Sequence, residues 1–332
     1  MGDLLNARLL VVLAFTASAC GPVPATPVAF DPSAPPTPVD AGTQQLEPPQ
    51  PAADAGTPEV GQPAETDVGN EPEPVDAPDY ADRGQVAVES EQLQVRATEQ
   101  CAMTAVRFRP VAPVVRGYAL FLHGFSRGRS QFLGWGEHLA SHGIEAVVSD
   151  LCHASVAGVD PFAGGAAIDI LVNSIGDAPV VIVGHSAGSM AALVAGAESG
   201  TTVGVLGLDP VAPREGNLND QAAALEGMLA ALVGAPSQCN SSNSGVEIYR
   251  EGSADMFTIT GATHCDFEAP TNFICTATCG GSAGEGAQSA IRQLATSYVA
   301  WKLGLDDAAL WWDEESDVLS QLLNSGQVEQ LR

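Results

Sequence analysis

One serine stands where a strand would turn sharply into a helix. Residues 184–188 read Gly-His-Ser-Ala-Gly, after the apolar run 180–183 and before the Ala-rich stretch 190–198. Small residues on both sides let such a turn hold Ser186 in a strained conformation and lift its hydroxyl above a sheet. The pattern predicts that Ser186 is a nucleophile. The alternative is a tight strand-to-helix turn with an idle serine.

A nucleophilic serine needs a base, and one histidine follows it in the chain. Five of the six histidines precede or adjoin Ser186, whereas His264 lies in the loop after the last short predicted strand. Behind a turn of this kind the partners follow in the order serine, acid, histidine. We therefore predict His264 as the base. The alternative is an ordinary surface histidine.

The acid that would orient this imidazole can be sought by elimination. It normally follows one of the two strands after the nucleophile helix. Asp209 ends the first of these strands, whereas the loop after the second, 234–245, contains no Asp or Glu. We predict Asp209, with Asp255 and Asp266 as alternatives and with Asp150 in a structural role.

Acyl transfer would also need two N–H groups aimed at the negative charge that develops on the carbonyl oxygen. Ala187, directly after the nucleophile, offers one of them. The second is expected in the loop after the first central strand, where residues 123–126 read His-Gly-Phe-Ser. We predict Phe125 as this donor; the alternative is a plain turn with a packed Phe. The chemistry needs no metal and no organic cofactor.

The elements that must position these residues alternate along the chain. Solid apolar runs typical of buried strands lie at 118–122, 144–149, 180–183, 203–208 and 256–260. Helices are predicted at 131–141, 161–174, 190–198 and 286–303. Two alternating strands are predicted at 86–95 and 103–111, and the run 225–233 fits a strand or a helix. Buried strands that alternate with helices predict an α/β fold, with a mostly parallel sheet covered on both faces.

The first 80 residues are predicted to be an export signal followed by a linker. Residues 1–19 read as an export signal, with small residues before Cys20 that resemble a bacterial lipoprotein box. In such a box the cysteine takes the lipid; ordinary signal-peptidase cleavage after Ala19 is the alternative. Residues 20–80 are rich in proline and acids and contain no Lys or Arg, which predicts an extended, disordered linker.

Composition and charge restrict the partners and the compartment. The 332 residues are 45% hydrophobic, enough for a sizeable core, and carry a formal net charge of −27. Such a chain would be repelled by phosphate backbones and anionic headgroups, so nucleic-acid binding is not expected. Since no apolar run is long enough to span a bilayer, membrane attachment is expected only through a lipid on Cys20. The expected location is the bacterial outer membrane or cell surface, and otherwise the periplasm or the medium.

Six cysteines remain if Cys20 carries a lipid. They are Cys101, Cys152, Cys239, Cys265, Cys275 and Cys279. An even number in an oxidising compartment predicts disulfides, with several possible pairings. A zinc site that uses Cys275 and Cys279 is the alternative, although a second ligand pair at the usual spacing is missing.

Together these motifs resemble the α/β-hydrolase superfamily. The chain is particularly similar to the branch of chlorophyllases, platelet-activating-factor acetylhydrolases, dienelactone hydrolases and bacterial cutinases or polyester hydrolases. The matching residues are FLHGF at 121–125, LASHG at 139–143, GHSAG at 184–188, GLDPV at 207–211 and GATHCDFE at 261–268. The acid directly after the nucleophile helix is closer to chlorophyllases and acetylhydrolases than to cutinases.

The resemblance implies a triad of Ser186, His264 and Asp209, with the N–H groups of Phe125 and Ala187 as the oxyanion hole. The cysteine-rich segment departs from the family pattern, and a disulfide through Cys265 would hold the His264 loop in place. The stretch between Asp209 and the run at 225–233 is too short for a large cap domain, so the cleft is expected to be open.

The domain organisation and the function follow as expectations. A catalytic α/β-hydrolase domain is expected at 85–305, and a C-terminal tail with a packed turn and helix at 306–332. The expected function is an exported serine carboxylic-ester hydrolase that acts on small-molecule, lipid or polyester substrates through an acyl-enzyme. The alternatives are a serine peptidase or amidase on the same fold, and an inactive surface-binding protein that kept the fold.

Overall fold

A nine-stranded sheet forms the centre of the computed structural model of the protein. The structure describes residues 77–155, 158–280 and 284–331. The predicted export signal, the predicted lipidation site at Cys20 and most of the predicted linker lie outside the described residues.

Strands and helices alternate along the described residues, as the apolar runs predict. The strands are β1 (Val88–Arg96), β2 (Ala102–Pro110), β3 (Tyr118–Leu122), β4 (Glu145–Ser149), β5 (Ala154–Ser155), β6 (Gly158–Val159), β7 (Val180–His185), β8 (Thr202–Leu208), β9 (Leu229–Val233), β10 (Asp255–Ile259) and β11 (Val328–Gln330). The α-helices are α1 (Leu133–Ser141), α2 (Pro161–Ile175), α3 (Gly188–Glu198), α4 (Asn219–Ala223), α5 (Val246–Glu251), α6 (Phe273–Cys279), α7 (Glu285–Lys302) and α8 (Asp317–Asn324). Short 3-10 helices lie at Arg129–Gln131, His264–Phe267 and Asp306–Trp311. Within this part of the chain, no helix combines the length and the apolar character needed to cross a bilayer.

The sheet is parallel at its centre and antiparallel at its edges. Its strand order is β1-β2-β4-β3-β7-β8-β9-β10-β11. The run from β4 to β10 is parallel, whereas β1, β2 and β11 pair antiparallel with their neighbours. The chain passes from β3 outward to β4 and then back to β7, so the direction of winding switches between β3 and β7. Ligands bind at such a switch point, beyond the carboxyl ends of the strands. The predicted α/β class with a mostly parallel sheet is confirmed.

Both faces of the sheet are buried, which explains why its central strands read as solid apolar runs. Along β3, Ala119 and Phe121 belong to the core cluster that includes α1 and α7. Leu120 and Leu122 belong to the other cluster, which includes α2 and α3. Because neighbouring residues of a strand point to opposite faces, a sheet covered on both sides requires apolar residues at every position.

The C-terminal residues add a strand that the sequence did not predict. The expected turn and helix are present as the 3-10 helix at 306–311 and α8, and β11 then pairs antiparallel with β10. Trp312 is buried, with its ring centroid 5.2 Å from the rings of both Phe257 and Tyr298. This tryptophan therefore belongs to the core.

Residues 77–84 pack against α1 and α7. The N–H of Tyr80 donates to Gln293 Oε1 at 2.8 Å, and the Tyr80 side chain is buried. Arg292 Nε donates to the carbonyl of Ala81 at 2.5 Å, and the N–H of Gly84 donates to a side chain of α1 at 2.9 Å. The last residues of the predicted linker thus belong to the packed part of the chain.

Candidate active site

Ser186 lies on a sharp turn between β7 and α3. Its φ of 57° falls in the left-handed region, which is costly for a residue with a Cβ atom. Main-chain bonds hold the turn: the N–H of Ser186 donates to the carbonyl of Leu208 at 3.0 Å, and its carbonyl accepts from Val211 at 3.2 Å. The serine therefore stands at the carboxyl end of β7, on the strained turn expected of a nucleophile.

Close packing requires the glycines around this serine. A Cβ on Gly184 would lie 2.4 Å from the backbone of α3, and one on Gly188 would lie 2.4 Å from the carbonyl oxygen of His123. A Cβ on Gly124 would lie 2.7 Å from the Cβ of Ser186. Atoms cannot approach so closely, so these glycines let α3 and the loop after β3 contact the serine turn.

Asp209 and His264 form a buried hydrogen-bonded pair. His264 Nδ1 lies 2.6 Å from Asp209 Oδ2, and Asp209 is fully buried. Asp209 directly follows β8 with a φ of 47°, and His264 begins the 3-10 helix after β10. Since a carboxylate can only accept, Nδ1 donates the proton and Nε2 is left as the basic nitrogen.

Asn240 joins this pair, although no motif in the sequence identifies it. Its Nδ2 donates to Asp209 Oδ2 at 3.1 Å and to the carbonyl of Ala235 at 2.9 Å. Its Oδ1 accepts from the N–H of Ser237 at 2.8 Å, and the N–H of Gly234 donates to Asp209 Oδ1 at 2.9 Å. The loop after β9, which lacks any acid, thus supplies donors to the acid on β8.

A cleft with a volume of about 860 Å³ opens at this end of the sheet. Ser186, Ala187 and His264 line it, and so does Phe125, whose side chain is 43% exposed. Phe162 at the start of α2 and Ile274 of α6 also line it, and so do the charged side chains of Arg127, Arg214 and Glu215. The structure therefore brings all the predicted catalytic and oxyanion-hole residues to one cleft, with Asp209 buried behind His264. Between β8 and β9 the chain forms only the five-residue α4, so this stretch is no large cap.

Comparison with known proteins shows a likeness in structure and none in sequence. No family model matches the chain, and no curated protein matches it. A ferulic acid esterase from Streptomyces cinnamoneus, solved at 2.4 Å, superposes with a TM-score of 0.51 and 14% identity; the match covers 78% of this chain and 99% of that one. The fold is of the α/β-hydrolase type. At this identity the likeness concerns the fold alone, so membership of a particular branch stays a prediction.

The alternative acids Asp255 and Asp266, and also Asp150, have other contacts. Asp266 accepts from the N–H and the hydroxyl of Thr263, both at 2.7 Å, and thereby caps the start of the 3-10 helix. Asp255 is exposed at the start of β10. Asp150 accepts from the N–H of Arg129 at 3.0 Å and pairs with its guanidinium, a structural contact as predicted.

Two buried histidines hold the loops around the serine. His185 Nε2 donates to the carbonyl of His264 at 2.9 Å, and the two rings lie 4.6 Å apart. Burial, reinforced by nearby His264, lowers the pKa of His185 well below its ordinary value, so this ring is neutral. His123 Nδ1 donates to the carbonyl of Gly124 at 2.7 Å, and its Nε2 accepts from the N–H of Leu151 at 3.0 Å. Burial also lowers the pKa of His123.

Disulfides tie α6 to both sides of the cleft. The pairs are Cys101–Cys152, Cys239–Cys279 and Cys265–Cys275. Cys265 follows His264 directly, so the bond to Cys275 joins α6 to residues 260–269, the segment after β10 that we call the base loop. Cys239 precedes Asn240, so the bond to Cys279 joins the loop after β9, residues 234–245, to the same helix. The disulfide expected through Cys265 is present, and the cysteines of the alternative zinc site are used in disulfides.

Proposed function

We propose that the protein is a serine hydrolase of carboxylic esters. The observation that carries this proposal is that His264, hydrogen-bonded to the buried Asp209, lines the same cleft as Ser186 on its strained turn. An imidazole whose Nδ1 is fixed by a carboxylate is the base that a serine nucleophile requires. The structural likeness to a ferulic acid esterase supports an ester hydrolase on this fold.

The reaction follows from the roles of these groups. His264 Nε2 takes the proton of Ser186 as Oγ attacks the ester carbonyl, and Asp209 stabilises the imidazolium. The N–H groups of Ala187 and Phe125 donate to the oxyanion. The intermediate collapses when His264 protonates the leaving alcohol, and an acyl-enzyme remains. A water molecule that His264 activates then releases the acid. No step requires a metal or a cofactor.

The cleft supports an apolar acyl or alcohol group. The exposed rings of Phe125 and Phe162 and the side chain of Ile274 line it. Small-molecule, lipid and polyester esters have such groups, and so do the esters of ferulic acid that the structural relative acts on. We further propose that the enzyme is exported and tethered by a lipid on Cys20; mass spectrometry of the mature N-terminus tests this part.

Replacing the serine tests the proposal. Ser186→Ala is expected to lower kcat for p-nitrophenyl butyrate by more than about 10⁴-fold, because the nucleophile is lost. A fluorophosphonate probe should label Ser186 in the wild-type protein. Ser199→Ala, at the end of α3, serves as the control and should keep the wild-type rate. Wild-type turnover by Ser186→Ala would contradict the proposal, and efficient hydrolysis of a matched anilide in addition to the ester would indicate a peptidase or amidase.

A further inference from the structure

We propose that Arg127 and Glu268 act together as positioning residues, which fix the predicted oxyanion loop relative to the base; this inference rests on the proposed function. Arg127 Nε lies 2.6 Å from Glu268 Oε1. The side chain of Glu268 is fully buried, and that of Arg127 is only 15% exposed. No motif in the sequence links these two residues.

The two residues belong to the two loops that must cooperate. Arg127 lies two positions after Phe125, in the loop between β3 and α1, and lines the cleft. Glu268 lies four positions after His264, at the end of the 3-10 helix that the histidine begins. The ion pair therefore links the turn that carries a predicted oxyanion donor to the segment that carries the base.

Main-chain bonds join the same two segments further along. The N–H of Gly134 donates to the carbonyl of Ala269 at 2.7 Å, and the N–H of Ala269 donates to the carbonyl of Gln131 at 2.8 Å. Trp135 Nε1 donates to the carbonyl of Phe267 at 2.9 Å. These bonds fix the start of α1 to the base loop. The ion pair extends the junction to the turn between Phe125 and α1.

A buried ion pair is better explained by orientation than by stability. Apolar side chains of similar size often stabilise a protein as well as or better than a buried pair, because both charges must lose water. Glu268 also accepts from Thr271 Oγ1 at 3.0 Å, so its carboxylate is held from a second side. Burial raises the pKa of Glu268, and the Arg127 guanidinium opposes this rise. What the pair supplies is a fixed direction between two loops, and transition-state stabilisation depends on such preorganisation.

A double replacement tests the role without leaving one charge unpaired. Arg127→Met combined with Glu268→Leu removes both charges at similar volume. The matched control is Arg107→Met combined with Glu145→Leu, which removes a half-buried pair at 2.6 Å between β2 and β4. The measurements are kcat and KM for p-nitrophenyl butyrate and for an ester with a carboxylate on its acyl chain, together with Tm.

We expect kcat to fall about 10- to 100-fold on both esters, since small displacements of catalytic groups have effects of this size. KM should change less than about twofold for either ester, because the proposed role of the pair is to position the loops and not to bind substrate. Tm should not fall, because apolar replacement of both charges is tolerated. The control variant should keep the wild-type kcat. Arg127→Lys, which keeps the charge, should retain part of the activity that the double variant loses.

Three results would overturn the inference. The first is a double variant with wild-type kcat. The second is a rise in KM confined to the carboxylate ester, which would assign Arg127 to substrate binding. The third is a loss of kcat that merely follows a loss of Tm. A wild-type protein that is inactive on all esters, or an active Ser186→Ala variant, would instead contradict the proposed function itself.

Discussion

The carboxylate of Asp209 is fully buried, so hydrogen bonds from the protein must replace those that water would donate to it. Its oxygens accept from His264, from the N–H of Gly234 and from the amide of Asn240. A buried charge of this kind is stabilised only when its acceptor sites are satisfied. Asn240 is fixed in turn by Ala235 and Ser237, so it can hold the carboxylate against Nδ1 of His264.

We predict that Asn240→Ala weakens catalysis more than it weakens binding. Loss of a hydrogen bond to a charged group costs about 1.5–3 kcal/mol, which corresponds to a fall in kcat of about 10- to 100-fold. The N–H of Ser237 would also lose its acceptor, so Tm should fall. Steady-state kinetics and thermal unfolding measure both effects. Asn217→Ala, the same change at an exposed position outside the cleft, is the control; an unchanged kcat in Asn240→Ala would contradict the prediction.

At the scale of elements, α6 depends on its disulfides for its place at the cleft. The helix is only seven residues long, too short to be stable alone, and its side chains Phe273 and Ile274 are largely exposed. Cys275 ties it to the residue after His264, and Cys279 ties it to the residue before Asn240. Both loops that serve the buried acid–base pair are therefore anchored to the same small helix.

We predict that the disulfide Cys101–Cys152 contributes more to stability, whereas Cys265–Cys275 contributes more to activity. Loop-closure entropy assigns about 3 kcal/mol to Cys265–Cys275, which closes 10 residues, and about 4 kcal/mol to Cys101–Cys152, which closes 51. Replacing Cys265 and Cys275 by Ser should nevertheless lower kcat about tenfold, because the His264 loop loses its anchor. Replacing Cys101 and Cys152 by Ser should lower Tm more and kcat less. Losses of kcat that follow the losses of stability would contradict this expectation.

At the scale of the whole molecule, two groups of titrating residues act on stability in opposite directions. The chain has 40 acids against 13 Lys and Arg, so its charges repel one another and acid relieves the repulsion. Burial lowers the pKa of several histidines, namely His123, His138, His142 and His185. Unfolding exposes these rings, and they then take up protons at a higher pH than in the folded protein.

We predict that His138 reduces stability in acid. Its pKa is lowered to about 4 by burial and by nearby His142 and Arg292, whereas an exposed histidine titrates near 6.5. The unfolded chain therefore binds a proton that the native state lacks, so stability falls as the pH drops from about 6.5 to about 4. His138→Leu should remove up to about 3 kcal/mol of this pH dependence. Urea unfolding at several pH values measures it, with exposed His153→Asn as the control; parallel curves for His138→Leu and wild type would contradict the prediction.

Local pattern was sufficient for most strands of the central sheet, for the longer helices and for the serine turn. β3 has the bounds predicted from its apolar run, and α3 follows the Gly-His-Ser-Ala-Gly segment directly. A strand, a glycine-flanked serine and an Ala-rich helix are adjacent in the chain, so short-range preferences specify them together. Asp209 could be selected because the competing loop has no acid, and its contact with His264 agrees with that choice.

Tertiary structure alone decided which distant segments meet. Asn240 lies 31 residues from Asp209 in the sequence. Arg127 pairs with Glu268, although most strands of the sheet lie between these two residues in the sequence. The pairing of the six cysteines and the addition of β11 to the edge of the sheet are of the same kind. Such contacts depend on how helices and loops pack once the sheet has formed, and no spacing or periodicity within a segment encodes them. The sequence by itself thus determined the fold class and the choice of candidate reactive side chains, whereas packing determined the residues that hold those side chains in position.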